Sequence, residues 1–550
     1  MNRRRIGVHG MTAEFDYIIV GAGSAGCVLA NRLTADHRNR VLLLEAGGSD
    51  ARFWITVPIG YGKTFYDRRV NWSYETEIEP GLAGRSSYWP RGKVLGGSSS
   101  INAMVYVRGN PADYDDWAAM DCAGWSWSEV EPYFRKMESW RGEPSELRGS
   151  SGPLSVSDTS REIHPLCDHY LQAAQEAGLK RNPDYNGASM EGVGPYQITV
   201  RDGRRASASQ AYLRPAMGRK NLTVVTNALV EKVLIEEQRA TGVRYRHGGR
   251  VREARANVEV IISAGAVNSP QVLQLSGIGE AEKLRDLGIP PILDAPQVGK
   301  NLQDHLGIDY HYRANRPTLN SQLRPWWSQL LLGARYLLTR GGPLALSVNQ
   351  AGGFVRSDAG RSRPNMQLYF SPLTFDTAPT GTRPVTRVDP YPAFRLGVSP
   401  CRPLSRGWLS ICSADPTDAP EIQPGYLSVE EDVEEMLSGV RLIRRLAAMP
   451  GLSEVIAEEM QPGPIVSGDD QLREDIHNRA WSVFHPCGTC RMGSDPSRSV
   501  VDPSFRVHGL RGMRVVDASV FPTVTSGNIN GPVIMVAERA SDMILADRNR

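Results

Sequence analysis

No stretch of this sequence approaches the roughly 18 consecutive apolar residues that a membrane-spanning helix needs, so no spanning segment is expected. Charge of one sign is not in excess: 63 Lys and Arg stand against 60 Asp and Glu, a formal +3. A chain so balanced lacks the broad basic field that nucleic acid requires, and no nucleic-acid partner is expected. Its most conspicuous basic run, Arg3-Arg4-Arg5, precedes no apolar segment and makes no secretory leader. Cysteine is scarce. Cys27, Cys122, Cys167, Cys401, Cys412, Cys487 and Cys490 are odd in number and scattered, unlike a disulfide framework. A reduced, cytoplasmic protein is the simplest reading, and 550 residues are enough for two to four domains.

What is present starts with Asp16 to Glu45. An apolar run, Tyr17-Ile18-Ile19-Val20, reads as a buried strand, and Gly21-Ala22-Gly23-Ser24-Ala25-Gly26 follows at once. A helical pattern with Val28, Leu29 and Leu33 leads to a second apolar run, Val41 to Leu44, ending in Glu45. Strand, glycine turn, helix, strand and acid in this order make a dinucleotide-binding unit. Gly21 serves the tight turn, Gly23 the approach of backbone to a pyrophosphate, and Gly26 the packing of helix on sheet. The helix start aims free N–H groups at the phosphates, and Glu45 is placed for the ribose hydroxyls. An acid there favours FAD or NAD over NADP and does not separate the first two.

Further on, Arg91 to Val105 holds Gly96-Gly97 and three serines, where a chain presses against a ligand or simply loops. Thr223–Val225, Val230–Ile235 and Val258–Ile262 read as strands, with Ser269 and Pro270 as cap and first residue of a helix stopped by Gly277. Trp326-Trp327 opens an amphipathic helix with Leu330, Leu331, Leu337 and Leu338. It reads either as a lid or core helix or as a contact with a membrane surface, with Arg335 and Arg340 near headgroups. From Pro317 to Arg479, apolar and polar residues mix at short spacing, which suits an antiparallel sheet with one covered face. Met513 to Val516 reads as a strand ending in Asp517, and Pro532 to Leu545 as a closing helix. Cys487-Gly488-Thr489-Cys490 lacks both a thioredoxin-like context and a second C-x-x-C, so structural cysteines are favoured over a redox pair or a metal site.

Trp89 to Trp117 resembles the first signature of the glucose–methanol–choline (GMC) family of flavin oxidoreductases. Gly265 to Pro270, continuing to Gly279, resembles the second. Phe484-His485-Pro486 and Gly527-Asn528-Ile529-Asn530 resemble the family's catalytic segments, about forty residues apart. The resemblance implies an α/β fold. A discontinuous Rossmann-like FAD-binding domain would take 14–150, 220–316 and 480–550, and an α+β substrate domain on an antiparallel sheet 151–219 and 317–479. It implies FAD held without a covalent bond, since Ile101 stands where some members carry the attaching histidine. Beside Gly21, Gly23, Gly26 and Glu45, the implied FAD contacts are Ser24, Ala25, Ala46, Trp72, Val94, Gly97, Asn102, Ala103, Met104, Val105, Val230, Ala264, Asp517, Ala518, Asn528, Ile529 and Asn530. His485 would be the general base and Asn528 its partner on the substrate oxygen, with Val483 and Phe484 walling the pocket.

Gln350, in Gln350-Ala351-Gly352-Gly353-Phe354, matches a glutamate of choline-oxidising members. A neutral residue there implies an uncharged primary alcohol, oxidised to the aldehyde with electrons passed to a quinone-type carrier. An oxidase using O₂ and a hydroxynitrile lyase without net redox chemistry are the alternatives. The expected location is cytoplasmic, with peripheral contact at the inner membrane as the second reading of the Trp326 helix.

Overall fold

The computed structural model describes residues 14–376 and 387–548; the Arg3-Arg4-Arg5 run lies outside them. Strand β1 (Glu14–Val20), helix α1 (Ser24–Leu33) and strand β2 (Val41–Glu45) form at the places the pattern predicts. Every residue of β2 is buried, as a parallel strand covered on both faces must be. The chain returns to this sheet with β3 (Leu222–Thr226), β4 (Ala228–Glu236), β5 (Arg239–His247) and β6 (Arg250–Ile262), then helix α2 (Gly265–Leu275). Strand β7 (Met513–Val515) and helix α3 (Asn530–Arg548) complete it. The order is β3-β2-β1-β6-β5-β4, with β7 beside β6.

Strand β6 belongs to two arrangements. Its apolar end runs parallel to β1 and β7, pairing Ile262 with Val20 and Val515. Its charged first half pairs antiparallel with β5, from Arg255 opposite Gly242 to Arg250 opposite His247. Charged residues on this exposed hairpin hide it from an apolar-run criterion, which finds only the buried end.

Helix α2 begins four residues before the expected cap. Its N-terminus is capped from a distant segment: Asp517 Oδ2 accepts the Gly265 N–H at 2.9 Å and the Ser269 hydroxyl. Pro270 therefore lies inside the helix, where it cannot donate to the Ala266 carbonyl. The Thr489 hydroxyl donates to that carbonyl instead, at 2.7 Å. Gly277 follows the helix end at φ +82, as expected.

The second sheet is antiparallel throughout. Its order is Ile456–Gln461, Leu306–Ala314, Ala393–Pro400, Met366–Ser371, Ala351–Val355, Gly192–Pro195. The pleat sends Met366, Leu368, Phe370, Phe394 and Leu396 into one buried cluster with Met436, Leu437 and Val440 of the Glu430–Ala448 helix. Two stretches lie elsewhere than the expected division. Leu306–Ala314, within 220–316, pairs in this antiparallel sheet. Tyr212, Leu213 and Ala216, within 151–219, pack into the core around β1 and α1. Alternating polarity in the first case and a short apolar helix in the second decide these placements.

Candidate active site

A cavity of about 1380 Å³ is bordered by residues of both sheets. On the first sheet, β1 is followed by Gly21, with φ +96; a Cβ there would lie 2.5 Å from the Ser263 carbonyl oxygen. Helix α1 starts at once, with Gly23 at its N-cap and no side chain satisfying its first N–H groups. Those donors and the positive end of the helix open on the cavity beside Gly23, Ser24 and Ala25. The Gly96-Gly97 turn presses on the same place: Gly96 N–H donates to the Ala22 carbonyl at 2.7 Å. A Cβ on Gly97 would lie 2.7 Å from Gly23 Cα. This open, uncapped cradle fits the pyrophosphate of a dinucleotide.

Glu45 holds the cradle together. Its Oε2 accepts the Ala22 N–H and its Oε1 the Gly47 N–H, each at 2.8 Å. Burial pushes its carboxyl up to about 7, against the pull of those two N–H groups.

Every implied FAD contact borders the cavity except two. Gly26 packs α1 on the sheet, where a Cβ would meet the Gly21 oxygen at 1.9 Å. Val94 is buried with Ile55, Val70 and Ile101, and its carbonyl accepts the Gly97 N–H. Both shape the cradle from behind.

The other half of the site is a loop after the Trp481–Ser482 strand. Phe484 takes φ +67, uncommon for a residue with a side chain. Its carbonyl is held by Arg91 Nη2 at 2.7 Å and its N–H by the Ser482 hydroxyl at 2.9 Å. The next residue is His485. Its backbone N–H donates to Asp304 Oδ1 at 2.6 Å, and its ring is gripped on both nitrogens. Nε2 lies 3.0 Å from Asn528 Nδ2, and Nδ1 lies 3.0 Å from Nδ1 of His305. His305 Nε2 in turn lies 2.8 Å from the Cys401 carbonyl oxygen. Asn528 Oδ1 accepts from Gln367 Nε2 at 3.1 Å, and Gln367 Oε1 accepts the Tyr369 hydroxyl at 2.7 Å. His485 and Asn528 border the cavity; His305 does not. Nε2 is therefore the cavity-side nitrogen.

Burial first, then His305 and Arg91, hold His485 well below the ordinary histidine value. Burial lowers His305 to about 4. Asp304 is raised to about 6 by burial, against the hydrogen bonds from Ser482 and Tyr426. The site thus presents a neutral imidazole at neutral pH, with an amide donor beside its cavity-side nitrogen.

Val483 and Phe484 border the cavity, but Gln350 does not. Gln350 is buried, and its Oε1 accepts the His164 N–H at 2.7 Å behind the sheet. Its neutrality therefore says nothing about the charge of a substrate, and that sequence argument falls. Asp304, His305 and Gln367 escaped the sequence reading. Nothing in their spacing relates them to His485, which is 180 residues beyond His305. Cys487 and Cys490 are buried and unpaired, and burial pushes both thiols up. Among the described residues, no group of three or more His, Cys, Asp or Glu could hold a metal ion.

Residues 15–307 and 403–537 match the two parts of the family described as GMC oxidoreductase. The chain is 44% identical to the oxygen-dependent choline dehydrogenase of Photobacterium profundum, covering 98% of this chain and 94% of the relative. It is 43% identical to the alcohol dehydrogenase [acceptor] of Pseudomonas putida, covering 96% of each. Among solved structures, pyridoxine 4-oxidase from Mesorbium loti superposes with a TM-score of 0.86 at 31% identity, covering 96% of this chain and 98% of that one. Fold, cradle and sequence agree, and the chain belongs to the GMC oxidoreductases, FAD-dependent enzymes acting on CH–OH groups.

Proposed function

We propose that the protein oxidises an uncharged primary alcohol to the aldehyde and hands the electrons to a quinone-type acceptor. The observation that carries the reading is the pair His485 Nε2 and Asn528 Nδ2, 3.0 Å apart, on a cavity that also holds the dinucleotide cradle. When bound, FAD supplies the two-electron acceptor that takes the substrate's C–H hydrogen as hydride. His485 Nε2 takes the hydroxyl proton as general base. Before substrate enters, an Asn528 N–H rests on His485 Nε2; the substrate hydroxyl takes that place on the nitrogen, and Asn528 Nδ2 donates instead to the substrate oxygen as negative charge develops. Gln367 keeps that amide turned the right way. Phe484 and Val483 wall the site against water, and Ile101 offers no atom for a covalent flavin link.

Support for an uncharged alcohol comes from the sheet face opposite the cradle. Asp309 borders the cavity, but Arg395 Nη1 holds its carboxylate at 3.2 Å, and Arg479 donates to its carbonyl at 2.9 Å. A quaternary ammonium would meet two guanidinium groups there. Choline is the competing substrate, favoured by the choline dehydrogenases among the relatives.

The acceptor reading draws on the Trp326–Thr339 helix. Trp326 is 73% exposed, Leu331 64% and Leu338 86%, and Arg324 and Arg335 flank them. Trp326, Leu330 and Leu337 also rim the cavity. This apolar rim with basic flanks suits a lipid surface, where a quinone resides, better than a core helix.

Anaerobic mixing of the yellow protein with primary alkanols and with choline tests the reading. Bleaching by alkanols, with slow reoxidation in air and fast reoxidation by a soluble quinone, is expected. Bleaching by choline alone would replace the substrate, fast reoxidation in air would make the protein an oxidase, and no bleaching at all would favour a lyase.

A further inference from the structure

His485 can act as a base toward the cavity only if Nε2 is bare and the ring hydrogen sits on Nδ1. An isolated histidine in water prefers neither arrangement strongly, so something must choose. The chain of contacts through the site supplies the choice at one end. The Cys401 carbonyl can only accept, so the histidine nitrogen 2.8 Å away, Nε2 of His305, carries a hydrogen. Burial keeps His305 neutral, which leaves its Nδ1 with a lone pair. The only hydrogen available for the 3.0 Å contact between the two Nδ1 atoms then belongs to His485. His485 Nε2 is left bare, facing the Asn528 amide.

The opposite end agrees. The Tyr369 hydroxyl donates to Gln367 Oε1, Gln367 Nε2 donates to Asn528 Oδ1, and Asn528 therefore presents its N–H groups to His485. Were Nε2 protonated while Asn528 still rests on it, Asn528 would have to reverse and meet the Gln367 N–H groups with its own. Five hydrogen bonds thus run in one direction, from Tyr369 to a backbone carbonyl.

We propose that His305 is the positioning residue of the base: anchored on the Cys401 carbonyl, it fixes the ring hydrogen of His485 on Nδ1 and leaves the lone pair on Nε2, which the substrate hydroxyl reaches by displacing the Asn528 N–H. The inference rests on the alcohol-oxidising reading and adds to it a residue outside the cavity. It also limits the path of the proton. When Nε2 takes a proton from the alcohol, the O–H bond breaks and an N–H bond forms; Asn528 by then donates to the substrate oxygen, and the positive ring is stabilised by the lone pair of His305. The proton goes no further along this line, because His305 Nε2–H ends on a carbonyl. Release is through the cavity. The charged and titratable groups near the pair are Arg91 and Asp304 around His485 and Arg402 and Cys401 around His305.

The test is the ¹⁵N spectrum of histidine-labelled holoenzyme at pH 7.5, with the His485 signals assigned through His485→Gln. The expected result is a neutral His485 with its hydrogen on Nδ1; a hydrogen on Nε2 overturns the proposal. This readout needs no substrate, so it stands apart from whether any alcohol bleaches the flavin. In His305→Leu, the expected spectrum shows both ring forms. Flavin reduction at saturating alcohol slows on the order of a hundredfold, while the alcohol's Kd changes less than threefold. A flavin-loaded Leu variant with the wild-type reduction rate would overturn the proposal. If that variant does not fold, the wild-type spectrum alone decides.

Discussion

Asp304 Oδ1 accepts the backbone N–H of His485 at 2.6 Å, so neighbouring residues hold one histidine by its backbone and, through His305, by its ring. Asp304 Oδ2 takes the hydroxyls of Tyr426 and Ser482, which ties the His485 loop to the Tyr426 segment and to the strand that precedes it. The uncommon φ of Phe484 persists because the residues on both sides are clamped.

Replacing His485 by Ala removes the proposed base and leaves the cradle untouched. Flavin reduction by the alcohol should slow by roughly a hundred- to ten-thousandfold. The FAD absorbance of the purified protein should stay at the wild-type level. Stopped-flow reduction and the visible spectrum check the two halves separately.

Acidity acts through the same ring. His485 is held well below its ordinary value by burial, His305 and Arg91, so it remains unprotonated through neutral pH. Lowering the pH protonates the base and removes activity. The acid limb of kcat/KM against pH should therefore fall below pH 6.5, where an unperturbed histidine titrates. A limb at pH 6.5 or above would contradict the stated environment of His485.

Gly97→Ala should cost the protein its flavin. The added Cβ would lie 2.7 Å from Gly23 Cα, and Gly97 already takes φ +54. Backbone cannot yield as a flexible side chain would, so the phosphate turn must shift. The ratio of flavin to protein absorbance after purification should drop severalfold.

Thr489→Val keeps the shape of the side chain and removes its hydroxyl. The Ala266 carbonyl, already without a partner from Pro270, is then left unpaired in a buried place. The loss is about 1–3 kcal/mol. It is read as a lower Tm of the holoenzyme with an unchanged rate of flavin reduction.

On the membrane reading of the Trp326–Thr339 helix, Leu331→Ser with Leu338→Ser weakens attachment to lipid. Both side chains are exposed, and neither borders the cavity. Cosedimentation with vesicles containing anionic lipid should fall severalfold, while turnover of a soluble alcohol with a soluble quinone stays unchanged. Equal sedimentation of the variant and the wild type would remove the membrane reading.

Much of the dinucleotide half was legible along the chain. Strand, glycine turn, helix, strand and acid are local, and each residue type there answers a local demand: a positive φ at Gly21, a free N–H at the start of α1, a carboxylate at the end of β2. The buried end of β6 was legible as an apolar run, while its charged half and β5 were not, because an exposed hairpin carries no such run. The start of helix α2 was misplaced by five residues because the group that caps it, Asp517, comes from more than two hundred residues away.

The sequence by itself determined the glycine turn of the cradle and the family, and it singled out His485 and Asn528 as candidates, since these rest on short patterns and local backbone geometry. The tertiary structure alone decided which nitrogen of His485 faces the cavity. It also removed Gln350 from the pocket and brought His305, Asp304 and Gln367 to His485 and Asn528. Hydrogen-bond direction is a property of groups in contact, and these groups meet only when strands far apart in the chain are laid side by side.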